Sequence, residues 1–178
     1  DFIFFLAFEL ITKLNSTALN QYFSRCSQDL AYGEYLDIIM EERSEISQED
    51  IERIYEYKTA RLIEFSMTAP AVLVKKTDPH IQYLKDAGQN MGIAFQILDD
   101  LKGIEGRFED IGKTPGKDVD NHKKTIPQAL GIKTSKELVL QKKHQCLERL
   151  RCIKTIDGSD YQRVIDYLSM IWEKIEIA

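Results

Sequence analysis

The sequence is poor in the residues that interrupt helices and in the patterns that build strands. It contains only four Pro and nine Gly among 178 residues, and the strict alternation of apolar and polar residues that marks half-buried strands is nearly absent. These scarcities argue against a fold built on sheets. Apolar residues instead recur at helical spacing along most of the chain, which predicts an all-α helix bundle.

Three further scarcities limit the function. The three Cys, at positions 26, 146 and 152, are an odd number without the spacing of metal ligands, which favours a reduced, cytoplasmic setting over a disulfide framework. The longest apolar run, residues 2–8, is far shorter than the roughly 20 residues that a membrane span needs. The net charge of -5 provides no broad basic surface for nucleic acid.

Apolar periodicity and capping residues predict a series of helices joined by short loops. Ser16 and Ser47 are the predicted N-caps of the second and third helices, and Asp50 completes a capping box with Ser47. Pro70 is expected to end or kink the third helix. The predicted helices span about 1–14, 17–43, 48–69, 77 to 103 or 106, 125–130, 134 onwards and 159 onwards.

The beginning of the chain is unusually apolar. Residues 2–8 read Phe-Ile-Phe-Phe-Leu-Ala-Phe, and no Met precedes them. A helix that is apolar on all sides is expected to be buried on all sides. We therefore expect its packing partners to lie upstream, and we interpret residues 1–178 as one helical domain that forms a C-terminal portion of a longer protein.

A pair of adjacent carboxylates is the first candidate site. Asp99 and Asp100 end an apolar stretch, and Gln96 stands three and four residues before them, so the three polar ends share one helix face. Two carboxylates on one face repel each other unless a cation lies between them, and oxygen ligands without His or Cys suit Mg²⁺. A diphosphate would bridge this ion and the lysines of the next loop. The alternative, equally open here, is a solvated helix end followed by a charged loop.

Charges within apolar stripes are the second candidate site. Asp37 falls in the stripe of the second helix and Lys58 in that of the third, and Thr59 adds a hydroxyl beside Lys58. An unpaired buried charge is costly. One interpretation is a structural ion pair between Asp37 and Lys58. Together with the carboxylate pair, however, these exceptions fall on consecutive long helices, which favours a polar cavity inside the bundle.

Five motifs follow one another along the chain. They are Gly33-Glu34-x-x-Asp37, Lys58-Thr59, Phe95-Gln96-x-x-Asp99-Asp100, Gly112-Lys113-x-x-Gly116-Lys117-Asp118, and Lys123-x-Thr125 with Pro127. This series resembles the trans-prenyl (polyprenyl) diphosphate synthases, which make farnesyl, geranylgeranyl and longer diphosphates. The resemblance implies an isoprenoid-synthase-type helix bundle around a deep central cavity. It also implies the Mg²⁺-dependent condensation of an allylic prenyl diphosphate with isopentenyl diphosphate.

The resemblance implies a role for each matching residue. Lys58 would contact the allylic diphosphate, Thr59 would help to orient the reacting group, and Gln96 would support the same region of the substrate. Asp99, with Asp100 behind it, would ligate Mg²⁺. Phosphate oxygens would also be held by two lysines of the loop, Lys113 and Lys123.

Three departures limit what the resemblance implies. Gly103 stands where the family's second acidic motif has its third Asp, Glu34 replaces the usual Gln, and the family's first acidic motif with its Arg pair is not in this chain. The leading hypothesis is a prenyltransferase of which residues 1–178 form roughly the C-terminal two-thirds and are inactive alone. The alternative is a non-catalytic partner or regulatory subunit of such a synthase; the lysine-rich loop argues against a class I terpene cyclase. The resemblance also implies a homodimer that pairs through helices near the start of this chain.

Overall fold

The computed structural model describes residues 2–43, 45–110 and 125–175, and the regular structure in these ranges is entirely helical. In chain order the elements are α1 (Phe2–Lys13), α2 (Thr17–Glu41), α3 (Gln48–Tyr55), a π-helical turn (Glu56–Ala60), α4 (Arg61–Leu73), α5 (Asp78–Asp110), α6 (Ile126–Leu130), α7 (Ile132–Asp157) and α8 (Gln162–Ile175). The predicted all-α fold class is confirmed.

Local chemistry sets several helix ends. The Ser16 hydroxyl caps α2 by accepting the N–H of Leu19 at 3.3 Å, and Ser47 forms the predicted capping box with Asp50 at the start of α3. The predicted start near Thr134 is wrong. Gly131, with φ of 82°, ends α6 and directly precedes α7, which begins at Ile132.

Helix α5 is the centre of the bundle, and it packs against both α4 and α7. It runs to Asp110 instead of ending near Gly103 or Gly106, since a single Gly costs a helix only about 1 kcal/mol. The faces covered by the two neighbours carry Ala94 and Ile97, both fully buried. Phe95, between them in the sequence, points outward and is 47% exposed.

Two apolar clusters stabilise the fold. The larger cluster gathers residues of α3, α5, α7 and α8, among them Ile51, Leu101 and Leu150. The smaller cluster consists of Leu19, Phe23, Cys26 and Phe65. Two thiols lie in these clusters, since Cys26 and Cys146 are 3% and 0% exposed. None of the described helices is both long and apolar enough to cross a membrane.

Helix α1 has no buried residue in the part of the chain that the structure describes. Its burial by packing partners upstream stays a prediction. Its contact with the bundle includes Phe4 and Phe8, whose rings lie 5.4 and 6.0 Å from the ring of Phe23, and the partly buried Ala7 and Ile11. The opposite side of α1 faces solvent, and Phe2 and Ile3 are 79% and 80% exposed. A contact of this size covers one side of a helix only.

Candidate active site

The π-helical turn presents two of the predicted site residues. In this turn the N–H of Arg61 donates to the carbonyl of Glu56, five residues back, where an α-helix would use the fourth. Successive side chains of the turn reach different helices. Lys58 contacts carboxylates of α2, and Thr59 contacts Gln96 of α5. The turn therefore places a cation and a hydroxyl between two long helices.

Two glycines allow these helices to approach the turn. A Cβ atom on Gly33 would lie 2.3 Å from the backbone nitrogen of Lys58, and one on Gly92 would lie 2.3 Å from Cα of Ala60. No larger residue fits either position without moving backbone. Helices α2 and α5 thus pack against the turn nearly backbone to backbone, which brings polar side chains from three elements into one place.

The ammonium group of Lys58 lies between two acids. Its Nζ donates to Asp37 and lies 3.2 Å from a carboxylate oxygen of Glu34. Burial alone would lower the pKa of Lys58, but the hydrogen bonds and charges of Asp37 and Glu34 outweigh burial and raise the pKa above its usual value. Lys58 is therefore a cation at neutral pH.

A small cavity lies beside this ion pair. The ion pair and the polar cavity, which the sequence offered as alternatives, therefore occur together. Its walls come from α2, α3, the π-helical turn, α5 and the residue before α6. The lining residues are Asp37, Ile54, Tyr55, Lys58, Thr59, Gln96 and Thr125. The ion pair of Asp37 with Lys58 is thus one wall of a polar cavity.

Hydrogen bonds connect this cavity with the carboxylate pair. The Thr59 hydroxyl donates to Oε1 of Gln96 at 2.6 Å, and Nε2 of Gln96 lies 3.5 Å from Oδ1 of Asp100. Oδ2 of Asp100 accepts a hydrogen bond from the hydroxyl of Tyr55. Burial and the charge of Asp100 raise the pKa of Tyr55 far above its usual value, so this hydroxyl stays a donor.

A family model for polyprenyl synthetases matches residues 1–167 of the chain. The chain belongs to the polyprenyl synthetase family. The resemblance predicted from the five motifs is confirmed.

Curated relatives of the chain include farnesyl diphosphate synthase from Micrococcus luteus, which is 34% identical over 133 residues. That match covers 75% of this chain and 45% of the relative. Octaprenyl diphosphate synthase from Escherichia coli K12 is 33% identical over 127 residues, which cover 71% of this chain and 39% of the relative. The chain therefore spans less than half the length of either relative.

A solved structure extends the match to the fold. The geranyltranstransferase of Thermotoga maritima superposes with a TM-score of 0.78 at 31% identity, over 97% of this chain and 57% of that one. A polyprenyl synthetase of Streptomyces coelicolor has the same fold at 21% identity, with a TM-score of 0.76. The isoprenoid-synthase type of the helix bundle is confirmed.

The two adjacent carboxylates of the chain have different surroundings. Asp100 is 8% exposed and engaged by Tyr55, whereas Asp99 is exposed. No cluster of three or more His, Cys, Asp or Glu side chains able to hold a metal occurs in the described ranges. A single exposed carboxylate still fits Mg²⁺, which typically takes one or two carboxylates and completes its shell with water and substrate phosphates. Asp99 is the candidate ligand, and Asp100 stands behind it.

The structure joins four of the predicted site residues in one network, Lys58 and Thr59 through the cavity, and Gln96 and Asp100 through hydrogen bonds. Lys113 and Lys123 lie outside the described residues. Sequence reasoning missed the cavity residue Tyr55. Its position in the apolar stripe of α3, one turn after Ile51, is typical of a core aromatic, and only its contact with Asp100 distinguishes it.

Proposed function

We propose that the chain contributes the diphosphate-binding half of a Mg²⁺-dependent prenyltransferase. The substrates would be an allylic prenyl diphosphate and isopentenyl diphosphate, and the product a longer trans-prenyl diphosphate. The observation that carries the proposal is the single network that unites Lys58, Thr59 and Gln96 and ends at Asp100, the sequence neighbour of Asp99. Farnesyl and octaprenyl diphosphate synthases among the relatives support the substrate class.

The proposed reaction begins with ionisation of the allylic substrate. Its C–O bond breaks, and the diphosphate leaves with the bonding electrons. The alkene of isopentenyl diphosphate then supplies the electron pair of the new C–C bond, and a proton is lost. Because the leaving group carries several negative charges, neutralising that charge is the main catalytic task.

The side chains divide this task. Lys58 would donate to diphosphate oxygens, and its fixed pairing with Asp37 keeps it charged and oriented. Thr59 and Gln96 would hold the reacting end of the allylic substrate. Bound at Asp99, Mg²⁺ would add positive charge against the leaving diphosphate. Lys113 and Lys123 remain predicted diphosphate ligands.

The decisive experiment is a prenyl-transfer assay on the gene product that carries this sequence. Isotopically labelled isopentenyl diphosphate should be incorporated into a longer diphosphate only when an allylic diphosphate and Mg²⁺ are both present, and a chelator should stop the reaction. Residues 1–178 alone should show no turnover. Absence of turnover by the gene product would overturn the proposal, and turnover by residues 1–178 would overturn the expected inactivity of this chain.

One specific feature favours the alternative, a non-catalytic partner subunit. Gly103 cannot supply the third carboxylate of the family's second acidic motif. A partner subunit would be inactive alone and would change the rate or product length of a catalytic synthase on mixing.

The exposed apolar side chains of α1 support pairing of two copies, which we propose as a homodimer in the cytoplasm.

A further inference from the structure

One tyrosine hydroxyl connects three helices beside the proposed active site. Tyr55 is the last residue of α3 and is 4% exposed. Its hydroxyl donates to Asp100 on α5 and accepts the backbone N–H of Ile126, the first residue of α6, at 3.0 Å. Ile126 is fully buried, so its N–H depends on a protein acceptor. A single oxygen atom therefore satisfies two buried groups that are far apart in the sequence.

The direction of the whole hydrogen-bond chain follows from Asp100. Both oxygens of Asp100 act as acceptors, Oδ2 toward the hydroxyl of Tyr55 and Oδ1 toward the amide of Gln96. Gln96 consequently turns its Nε2 group toward Asp100, at 3.5 Å, and leaves Oε1 for the hydroxyl of Thr59, at 2.6 Å. The proton of Thr59 is committed to Gln96, and the lone pairs of Thr59 remain available on the cavity side. Asp100 is thus the common end of two chains of donors.

We propose that Tyr55 is a positioning residue of the prenyl-transfer site. By occupying one oxygen of Asp100 it fixes the rotamer of that carboxylate, which in turn fixes the orientation of the Gln96 amide and the acceptor role of Thr59. By accepting from Ile126 it also holds the residue before α6, Thr125, in the wall of the same cavity. The catalytic consequence rests on the proposed function; the geometric consequence does not.

The Tyr55→Phe variant tests the geometric consequence directly, because it removes only the oxygen atom. The side-chain amide resonances of Gln96 should shift in the nitrogen–proton NMR spectrum of the chain, since its partner Asp100 loses the hydrogen bond that fixes the carboxylate. Tyr83→Phe is the matched control. Tyr83 lies on α5 and packs its ring against Arg149, so its variant should leave the Gln96 resonances in place. Unchanged Gln96 resonances in Tyr55→Phe would overturn the proposal.

A folding check accompanies this experiment. The melting temperatures of Tyr55→Phe and Tyr83→Phe show whether both variants are folded at the temperature of the spectra. If Tyr55→Phe does not fold, Asp100→Asn takes its place, because an amide at position 100 presents a donor where a carboxylate presents none. Gln96 resonances that stay in place in Asp100→Asn would equally overturn the proposal.

Kinetics of the gene product test the catalytic consequence. Tyr55→Phe should lower kcat about tenfold, the scale of one hydrogen bond to a charged group, and leave the KM for isopentenyl diphosphate within about twofold. In a Gln96→Ala background the same change should have little further effect, because Tyr55 acts through Gln96. Effects that multiply would mean that Tyr55 acts by another route and would overturn the proposal. Failure of the wild type to turn over would refute the proposed function while the NMR result still decides the geometry.

Discussion

Two regions of the molecule depart in opposite directions from the usual separation of apolar interior and polar surface. Near Tyr55 the bundle encloses polar groups, and Asp100 is only 8% exposed. On α1 the chain exposes apolar groups, and Phe2 is 79% exposed. A buried charge is tolerated only when it is paired and hydrogen-bonded, and the site near Tyr55 meets that condition with its own residues. A contiguous apolar surface is typical of a face that another protein surface covers.

The comparison teaches that the two regions obey different requirements. The polar network is satisfied by contacts among α2, α3, the π-helical turn and α5, so single substitutions there should change chemistry or packing. The apolar surface of α1 makes few contacts with the rest of the chain, so substitutions there should change association more than folding. Four substitution experiments test this difference between the two regions. They follow in order of decreasing expected effect.

The largest effect is expected at Asp99, the exposed carboxylate next to Asp100 in the sequence. Asp99→Ala should lower kcat/KM of the gene product by several orders of magnitude, because it removes the proposed protein ligand of the ion that neutralises the leaving diphosphate. Folding should change little, since Asp99 is exposed. Steady-state kinetics at saturating Mg²⁺ and a melting curve would measure the two quantities.

Asp166→Ala is the matched control for this change, because Asp166 is an exposed helical acid on α8 that contacts Gln162. Its rate should equal that of the wild type. An unchanged rate in Asp99→Ala would remove Asp99 from the metal site and leave the polar network with a structural role only.

The second experiment compares two phenylalanines across the contact of α1 with α2. Phe23 is 2% exposed and Phe5 is 66% exposed. Phe23→Ala should lower the free energy of unfolding by about 3–5 kcal/mol, whereas Phe5→Ala should change it by less than about 0.5 kcal/mol. Phe5→Ala should instead weaken self-association. Urea unfolding and sedimentation velocity would measure the two effects.

Equal losses of stability in these two variants would break the comparison, because they would make α1 part of the core. Unchanged sedimentation of Phe5→Ala would argue against α1 as the surface that pairs two copies.

Much of the fold could be predicted because its signals are local. Helix starts are predicted by capping residues within four positions of sequence, as at Ser16, Ser47 and Asp50. The structure confirms these caps. The π-helical turn could not be predicted in this way. Its additional residue rotates α4 by about 100° relative to an uninterrupted helix. The apolar Leu62 is 41% exposed, whereas the acidic Glu64 is buried.

The buried carboxylate of Glu64 shows how tertiary contacts override the stripe. It accepts from Arg61 at 2.8 Å and from the hydroxyl of Tyr22 at 3.0 Å. The candidate site was predicted from charges that interrupt apolar stripes, such as Asp37 and Lys58, because such interruptions are visible in the sequence. The role of Tyr55 depends on a contact 45 residues away, which no local spacing reveals.

The third experiment tests the close approach that builds the polar network. Gly33→Ala should destabilise the protein by about 1–3 kcal/mol, because the new methyl group would meet the backbone of Lys58. Gly103→Ala is the matched control, since nothing lies within 4 Å of a Cβ there, and it should stabilise α5 by up to about 1 kcal/mol. Urea unfolding measures both. A neutral Gly33→Ala would show that α2 and the turn can separate without cost.

The smallest effect is expected at an exposed polar contact, the capping box of Ser47 and Asp50 at the start of α3. The hydrogen bonds of Ser47 lower the pKa of Asp50 below its ordinary value of 3.8. A group with a lowered folded pKa contributes stability above its unfolded pKa and loses it as the pH falls through the folded value. Ser47→Ala should therefore lower the melting temperature slightly at neutral pH, and the difference from wild type should shrink once the pH falls below about 4.

Ser66→Ala, which removes an exposed serine bonded to the Leu62 carbonyl and to no acid, should show a difference that does not vary with pH. A Ser47→Ala difference that is equally constant would mean that the serine caps α3 without contacting the charge of Asp50. Buried and exposed polar contacts would then differ in kind, because the charge would matter only in the interior.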